Sequence, residues 1–192
     1  MIRFFVSTQF PINQKKARKY SRSLLIEPSE LEPTGWKYLG TWSWKAGVLK
    51  NSGDPLRRAG KNGCFTARSN FRRTSAEGAE LSISLTPFRT PEEVRSVAPN
   101  GIEDFCRNPL RKFDEFEGRT AENMKIDGVD EGRNFEARFR RSGMLMEIRV
   151  ATGIIENIGF SVVASGQGNG VSWKEVAKIA NLQVAKLRTT LN

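Results

Sequence analysis

The chain contains no histidine. That absence removes Ser-His-Asp and Cys-His catalytic sets, His-ligated zinc and His-ligated haem. Cysteine is nearly absent as well. Cys64 and Cys106 are the two present, and their separation matches no CxxC or zinc-ligand spacing. No stretch approaches the ~18 apolar residues of a membrane span. Acidic side chains are scarce at the start: residues 1–75 hold 4 of them against 15 Lys and Arg. The rest holds 17 acidic and 16 basic residues, so the net charge of +10 belongs to the first part of the chain. Charge concentrated in this way favours an anionic partner, whether nucleic acid, an acidic protein face or an anionic membrane surface. The bland alternative is a solvated face that keeps the protein soluble.

What is present suffices for a core. Of 192 residues, 38% are hydrophobic. A folded chain of that size buries roughly 70% of the surface its unfolded form exposes, so one domain without a staple is the expectation. Residues 1–23 stand apart, with Arg3, Lys15, Lys16, Arg18, Lys19 and Arg22 and no acid before Glu27. They read either as an organelle transit-like segment or as a retained basic arm, and not as a secretory signal, because Pro11, Asn13 and Gln14 interrupt the apolar run. The globular reading covers residues 24–192. If the protein matures in an oxidising compartment, a Cys64–Cys106 disulfide is expected, worth about 3 to 4 kcal/mol in the chain-entropy model. Otherwise both are buried thiols.

Pattern then assigns the elements. Trp36, Tyr38, Trp42 and Trp44 fall on even positions, which puts them on one face of an extended ribbon. That face is either packed or an aromatic platform beside Lys37, Lys45 and Lys50. The stretch from Asn51 to Asn62 reads as an exposed basic loop, from its Gly53, Pro55 and Gly60. Cys64 to Phe71 and Ala79 to Thr86 read as paired strands. Thr90-Pro91-Glu92-Glu93 starts a helix with a cap, a proline at its first position and a capping box. Pro99-Asn100-Gly101 ends it. Ile102 to Asn108 reads as short and helical, and Leu110 to Met124 as a charged loop. Phe135 to Arg141, Met144 to Ala151 and Ile158 to Ala164 alternate as three strands of an antiparallel meander. Ser172-Trp173-Lys174-Glu175 opens a final long amphipathic helix, its stripe formed by Trp173, Val176, Ala177, Ala180, Val184, Leu187 and Leu191. The fold class is therefore α+β, an antiparallel sheet with helices packed on it.

Chemistry is thinly marked. Gly166-Gln167-Gly168-Asn169-Gly170 precedes a helix, but its spacing is not a dinucleotide fingerprint and a flexible connection is the simpler reading. Asp127 to Gly132 carries three carboxylates on a Gly-rich turn without the ligand alternation of a calcium loop. Arg138, Arg140, Arg141 and Arg149 form either a basic stripe or cross-strand pairs with Glu136 and Glu147. No metal site and no cofactor is marked.

The segments "ELSISLTPFRTPEEV", "EGRNFEARFRRSGMLMEIRVATG" and "SWKEVAKIANLQVAKL", in this order, resemble the PsbP family of photosystem II extrinsic proteins and the wider PsbP-like α/β/α fold. "LLIEPSELEPTGW" and "FRRSGMLMEIRVA" are similar to actinobacterial extracytoplasmic sensor lipoproteins of that fold. Without histidine, no PsbP-type His ligand carries over. The resemblance implies a non-catalytic accessory module in a thylakoid lumen or another extracytoplasmic space. It would dock on the acidic face of a larger, photosynthetic complex. The docking candidates are Lys15, Lys16, Arg18 and Lys19 in the arm, with Arg57, Arg58, Lys61, Arg72 and Arg73. An extracytoplasmic small-ligand sensor or carrier is the first alternative and a nucleic-acid-binding protein the second. Peripheral membrane association fits the same charge.

Overall fold

Two sets of alternating apolar residues dictate the sheet. The computed structural model describes residues 13–48, 54–73, 78–97, 114–120, 125–168 and 170–191. Strands β1 (Trp36–Lys45), β2 (Phe65–Arg73) and β3 (Glu80–Pro87) form one antiparallel run. Strands β4 (Asp114–Thr120), β5 (Glu131–Arg141), β6 (Met144–Ile155) and β7 (Ile158–Gln167) form the other. Pairing of β3 with β7 joins them into a seven-stranded sheet in the order β1-β2-β3-β7-β6-β5-β4. The β5–β6 hairpin turns at Ser142-Gly143, where both residues have positive φ, 53° and 78°. That geometry matches the right-handed twist of the strands it connects.

Helices cover both faces. On the inner face, Trp36, Phe71, Leu81, Ile83, Leu85 and Phe160 are buried beneath α4 (Trp173–Leu191) and α1 (Gln14–Ser23). On the outer face, α2 (Asp54–Lys61) and α3 (residues 91–97) gather Ala59, Cys64, Phe88, Val94 and Ile154 into a smaller cluster. A third cluster, Phe135, Ala137, Phe139 and Val150, occupies the outer side of β5 and β6. The α+β class is as the sequence reading has it, with helices on both sides of the antiparallel sheet.

Helix α4 buries Ala180 and the larger Val176, Ile179, Val184 and Leu187, the latter four contributing about 1.5 to 3 kcal/mol each. Its cap is half of the expected box. Ser172 Oγ accepts from the Glu175 amide at 3.2 Å. The Glu175 carboxylate, instead of turning back, accepts from Trp36 Nε1 at 3.0 Å and pairs with Arg73. Arg73 lies over the Trp36 ring, 4.5 Å from its centroid. One junction thus ties the start of α4 to β1 and β2. At the start of α3, Thr90 Oγ1 caps Glu93, and the Glu93 carboxylate accepts from Arg89 N at 2.9 Å.

Four expectations are corrected. The basic segment from Gln14 is helix α1, packed on β1 and β2 through its small, buried Ala17 and Ser21. Residues one turn apart share a face, so five cations leave that stripe intact. The stretch read as a basic loop contains α2, because Gly60 acts as a contact and not as a breaker. A Cβ there would drive into the Ala46 carbonyl. The stretch read as a charged loop contains β4, whose Glu117 stands opposite Arg138 and whose Arg119 stands opposite Glu136. Opposite charges across a ladder stabilise a strand that apolar alternation does not mark. Finally, β1 does not keep its aromatics on one face. Its register shifts between Tyr38 and Gly40, so Trp36 and Tyr38 face inward while Trp42 and Trp44 face outward. The helical stretch read from Ile102 to Asn108 lies outside the described residues.

Cys64 is a buried free thiol, and Cys106 lies outside the described residues. Burial, reinforced by the Glu93 charge, pushes the Cys64 thiol up to about 12. Burial also raises the Tyr20 phenol, with Glu156 adding to it. Groups whose folded pKa is raised keep their proton in the native state while the unfolded chain loses it. Their stability contribution is whole below the unfolded pKa and declines above about pH 9. Melts at pH 8 and pH 10 should therefore show lower stability at the higher pH. Iodoacetamide should label Cys64 only when the chain unfolds, and rapid labelling of native protein would contradict this placement.

Removing the carboxylate by Glu175→Ala leaves the Arg73 guanidinium without its partner. It should cost about 3 kcal/mol, lowering the melting temperature by about 6 to 12 °C. Deleting residues 1–23 removes α1 and should lower it by about 5 °C or more. A truncated protein that melts with the full chain would show that α1 adds nothing to the core.

Candidate functional site

The side chains read as docking residues divide into two groups. Arg18 crosses the Phe65 ring at 5.0 Å on the inner side, where β2 begins. The Gly47 Cα sits against Leu56 and Arg57 at the same end of the sheet. Lys15, Lys16, Arg18 and Lys19 on α1 and Arg57, Arg58 and Lys61 on α2 are all exposed. The fold thus brings the two basic helices to one end of the sheet, on opposite faces. Arg72 and Arg73 sit at the far end of β2. Arg72 pairs with Glu80 at 2.8 Å on the surface, and Arg73 is turned onto Trp36 and Glu175. Neither belongs to the basic end.

A cleft of about 150 Å³ opens on the inner face beyond the start of α4. Its charged lining comes from three neighbouring strands: Glu117 on β4, Glu136 and Arg138 on β5, and Glu147 and Arg149 on β6. Register sets the pattern. One row across the sheet reads Glu117, Arg138, Glu147, and the next reads Arg119, Glu136, Arg149. Signs alternate along and across the strands.

Glu147 is buried and accepts from both Arg138 Nε at 2.9 Å and Arg149 Nη2 at 2.8 Å. Arg149 Nη1 donates to the Val171 carbonyl, the last turn before α4. Its Nε is buried with no acceptor. Trp173 Nε1 donates to Glu136 Oε2 at 2.7 Å and holds that carboxylate against the rim. Arg149 pairs with Glu147 along its own strand, β6, and cross-strand pairing is the observed reading for Arg138. Arg140 follows suit with Glu115 at 2.7 Å.

Among the described residues the lining offers carboxylates and guanidiniums and no hydroxyl or thiol. The arrangement can hold a small polar molecule bearing both signs of charge, or ordered water. The sequence offers the Arg/Glu set as pairs, but Glu117 is not legible in it because β4 carries no apolar alternation. The carboxylates of Asp127 to Gly132 do not converge. Asp130 accepts from Arg188 at 2.8 Å and from the Glu156 amide. Among the described residues no cluster of acidic or sulfur side chains is arranged for a metal, and no helix is long and apolar enough to cross a membrane.

No protein-family model matches the sequence, and no curated protein does. The structure is similar to the extracellular domain of PknH from Mycobacterium tuberculosis, with a TM-score of 0.59 at 13% identity. The likeness covers 90% of this chain and 96% of that domain. It shows a shared fold, and it lends no support to a PsbP relationship or to a photosynthetic role.

Proposed function

We propose that the chain is a non-catalytic, extracytoplasmic binding domain of the sensor type, and that its cleft takes a small zwitterion. The observation that carries the reading is the alternating set of carboxylates and guanidiniums in the cleft, with the Arg149 Nε left over. A ligand carboxylate satisfies that donor and Arg138. A ligand ammonium meets Glu117 and Glu136, which stand on the same inner face. Charge-assisted hydrogen bonds of this kind are the stronger class. The cleft is too small for a drug-sized molecule, for which pockets of about 300 Å³ or more are usual. The shared fold supports the compartment, since the PknH domain is extracellular.

The test is a thermal-shift and calorimetric panel of free amino acids. A ligand at about 100 times its Kd stabilises by about 2.7 kcal/mol, a rise of about 5 to 10 °C. Glu136→Gln and Trp173→Ala, which removes the group holding Glu136, should each weaken binding by about tenfold. A panel with no saturable binder, or binding indifferent to both substitutions, sinks the zwitterion reading. Protease added to intact source cells should cleave the domain without lysis, and full protection would contradict the compartment.

A second reading rests on a separate observation, the meeting of α1 and α2 cations at one end of the sheet. It makes that end a docking surface for an acidic protein. Replacing Lys15, Lys16, Arg57 and Arg58 by Glu should slow association with such a partner by about tenfold or more at low salt, with little effect on melting. Displacement by heparin or random RNA more effective than by acidic protein would turn the surface into a polyanion site.

A further inference from the structure

The outer face of the sheet carries an arginine that the rest of the electrostatics leaves unmatched. Arg68 lies mid-strand on β2, opposite Trp42 on β1 and Ser84 on β3. Its Nε donates to Ser84 Oγ at 2.7 Å, and its guanidinium carbon stands 5.3 Å from the centroid of the Trp44 ring. Five other strand arginines, Arg72, Arg73, Arg138, Arg140 and Arg149, each meet a carboxylate. Among the described residues Arg68 meets none. The flanking register positions on that face are Thr66, Asn70, Ser82 and Ser161, all uncharged. The hydroxyls of Thr66 and Thr86 are taken up with each other at 2.8 Å. Opposite Arg68 in register, Trp42 is 47% exposed, with its ring over Gly40.

We propose that Arg68 anchors a binding site for a small organic carboxylate on the outer face, with the apolar body of the ligand against Trp42 and Trp44. With Nε engaged by Ser84, the two terminal nitrogens present a planar pair of donors. A carboxylate matches that fork with both oxygens. Burial already disfavours the charged form of Arg68, so a partner of opposite charge recovers what desolvation costs. One cation whose described register neighbours are uncharged balances a monoanion. A phosphate dianion would bring surplus charge into the same partly dried surface. Indole faces complete the site as an apolar shelf, already polarised towards a cation at Trp44. The cleft of the inner face lies on the other side of the sheet, so the two sites fail or stand separately.

The probes are benzoate, acetate, benzyl alcohol and inorganic phosphate. Benzoate should bind the full chain saturably and shift the Arg68 Nε–Hε resonance as it does so. Acetate, lacking the ring, and benzyl alcohol, lacking the charge, should each bind more weakly, and phosphate should bind no better than acetate. Arg68→Gln should weaken benzoate by about tenfold or more, the worth of a charge-assisted hydrogen bond. Trp44→Leu should weaken benzoate while leaving acetate unchanged. The resonance assay uses the unaltered protein and decides the matter even if a variant fails to fold. An unmoved Arg68 signal at saturating benzoate, a shift at Arg149 in its place, or tighter binding of phosphate than of benzoate would each overturn the proposal.

Discussion

Helix α4 lying across the inner face is the constraint on which the other elements depend. Its apolar stripe supplies the area, but three polar ties fix its position along the sheet. Gln183, fully buried, accepts from the Ile26 amide at 3.2 Å and donates to the Leu24 carbonyl at 2.7 Å. That pair satisfies the backbone of the apolar run Leu24-Leu25-Ile26, which could not otherwise enter the core without stranding its amides. Glu175 binds the start of the helix to Trp36 and Arg73. Arg188 near its end holds the Gly128 carbonyl and Asp130, fastening the turn that leads into β5. A slide of α4 by one turn would break all three at once. It would also move Val171 and Trp173, which set Arg149 and Glu136 at the cleft, so the geometry of the candidate site is inherited from helix packing.

The elements legible in the sequence are those whose burial follows a regular period. The final helix, the β2–β3 pair and the β5–β7 meander repeat every 3.6 or 2 residues, and their partners lie nearby in the chain. Helix α1 was hidden by charge. Its buried stripe consists of Ala17 and Ser21, too small to register as an apolar pattern yet small enough to let the helix approach the sheet. Helix α2 was hidden by a glycine that serves contact. Strand β4 was hidden because its partner information is long-range: its acidic and basic positions make sense only opposite Arg138 and Glu136. The bulge in β1 is the sharpest case. One residue of slip leaves local composition untouched and reverses the side on which Trp42 and Trp44 emerge. The single-face aromatic ribbon becomes a core tryptophan on one side and, on the other, an exposed Trp42 with a half-buried Trp44.

The candidate sites were legible in proportion to the same rule. The cleft is assembled from residues that each looked like half of a surface pair, and register converts those pairs into two rows of alternating sign. Their net charge is small, so the cleft adds nothing to the long-range field that composition reports. The field comes from the first part of the chain, and there the fold sorts cations by how they are compensated. Arg72 and Arg73 are matched by Glu80 and Glu175. The lysines of α1 stay in water, where solvation makes unpaired charge cheap and salt screens it.

Arg68 belongs to neither group, being partly desolvated yet without a carboxylate among the described residues. A stability argument alone would not retain a charge in that position. Its hydrogen bond to Ser84 needs one nitrogen, and its stack on Trp44 needs only a flat face, which an uncharged side chain of similar shape would also provide. What such a side chain could not provide is the remaining donor pair with a full positive charge behind it. The bulge two residues after Trp36 is what turns Trp42 and Trp44 to the same side as that donor pair. The backbone irregularity and the unmatched charge therefore serve one local arrangement. Together they make a surface with one cation, two indoles and serine hydroxyls.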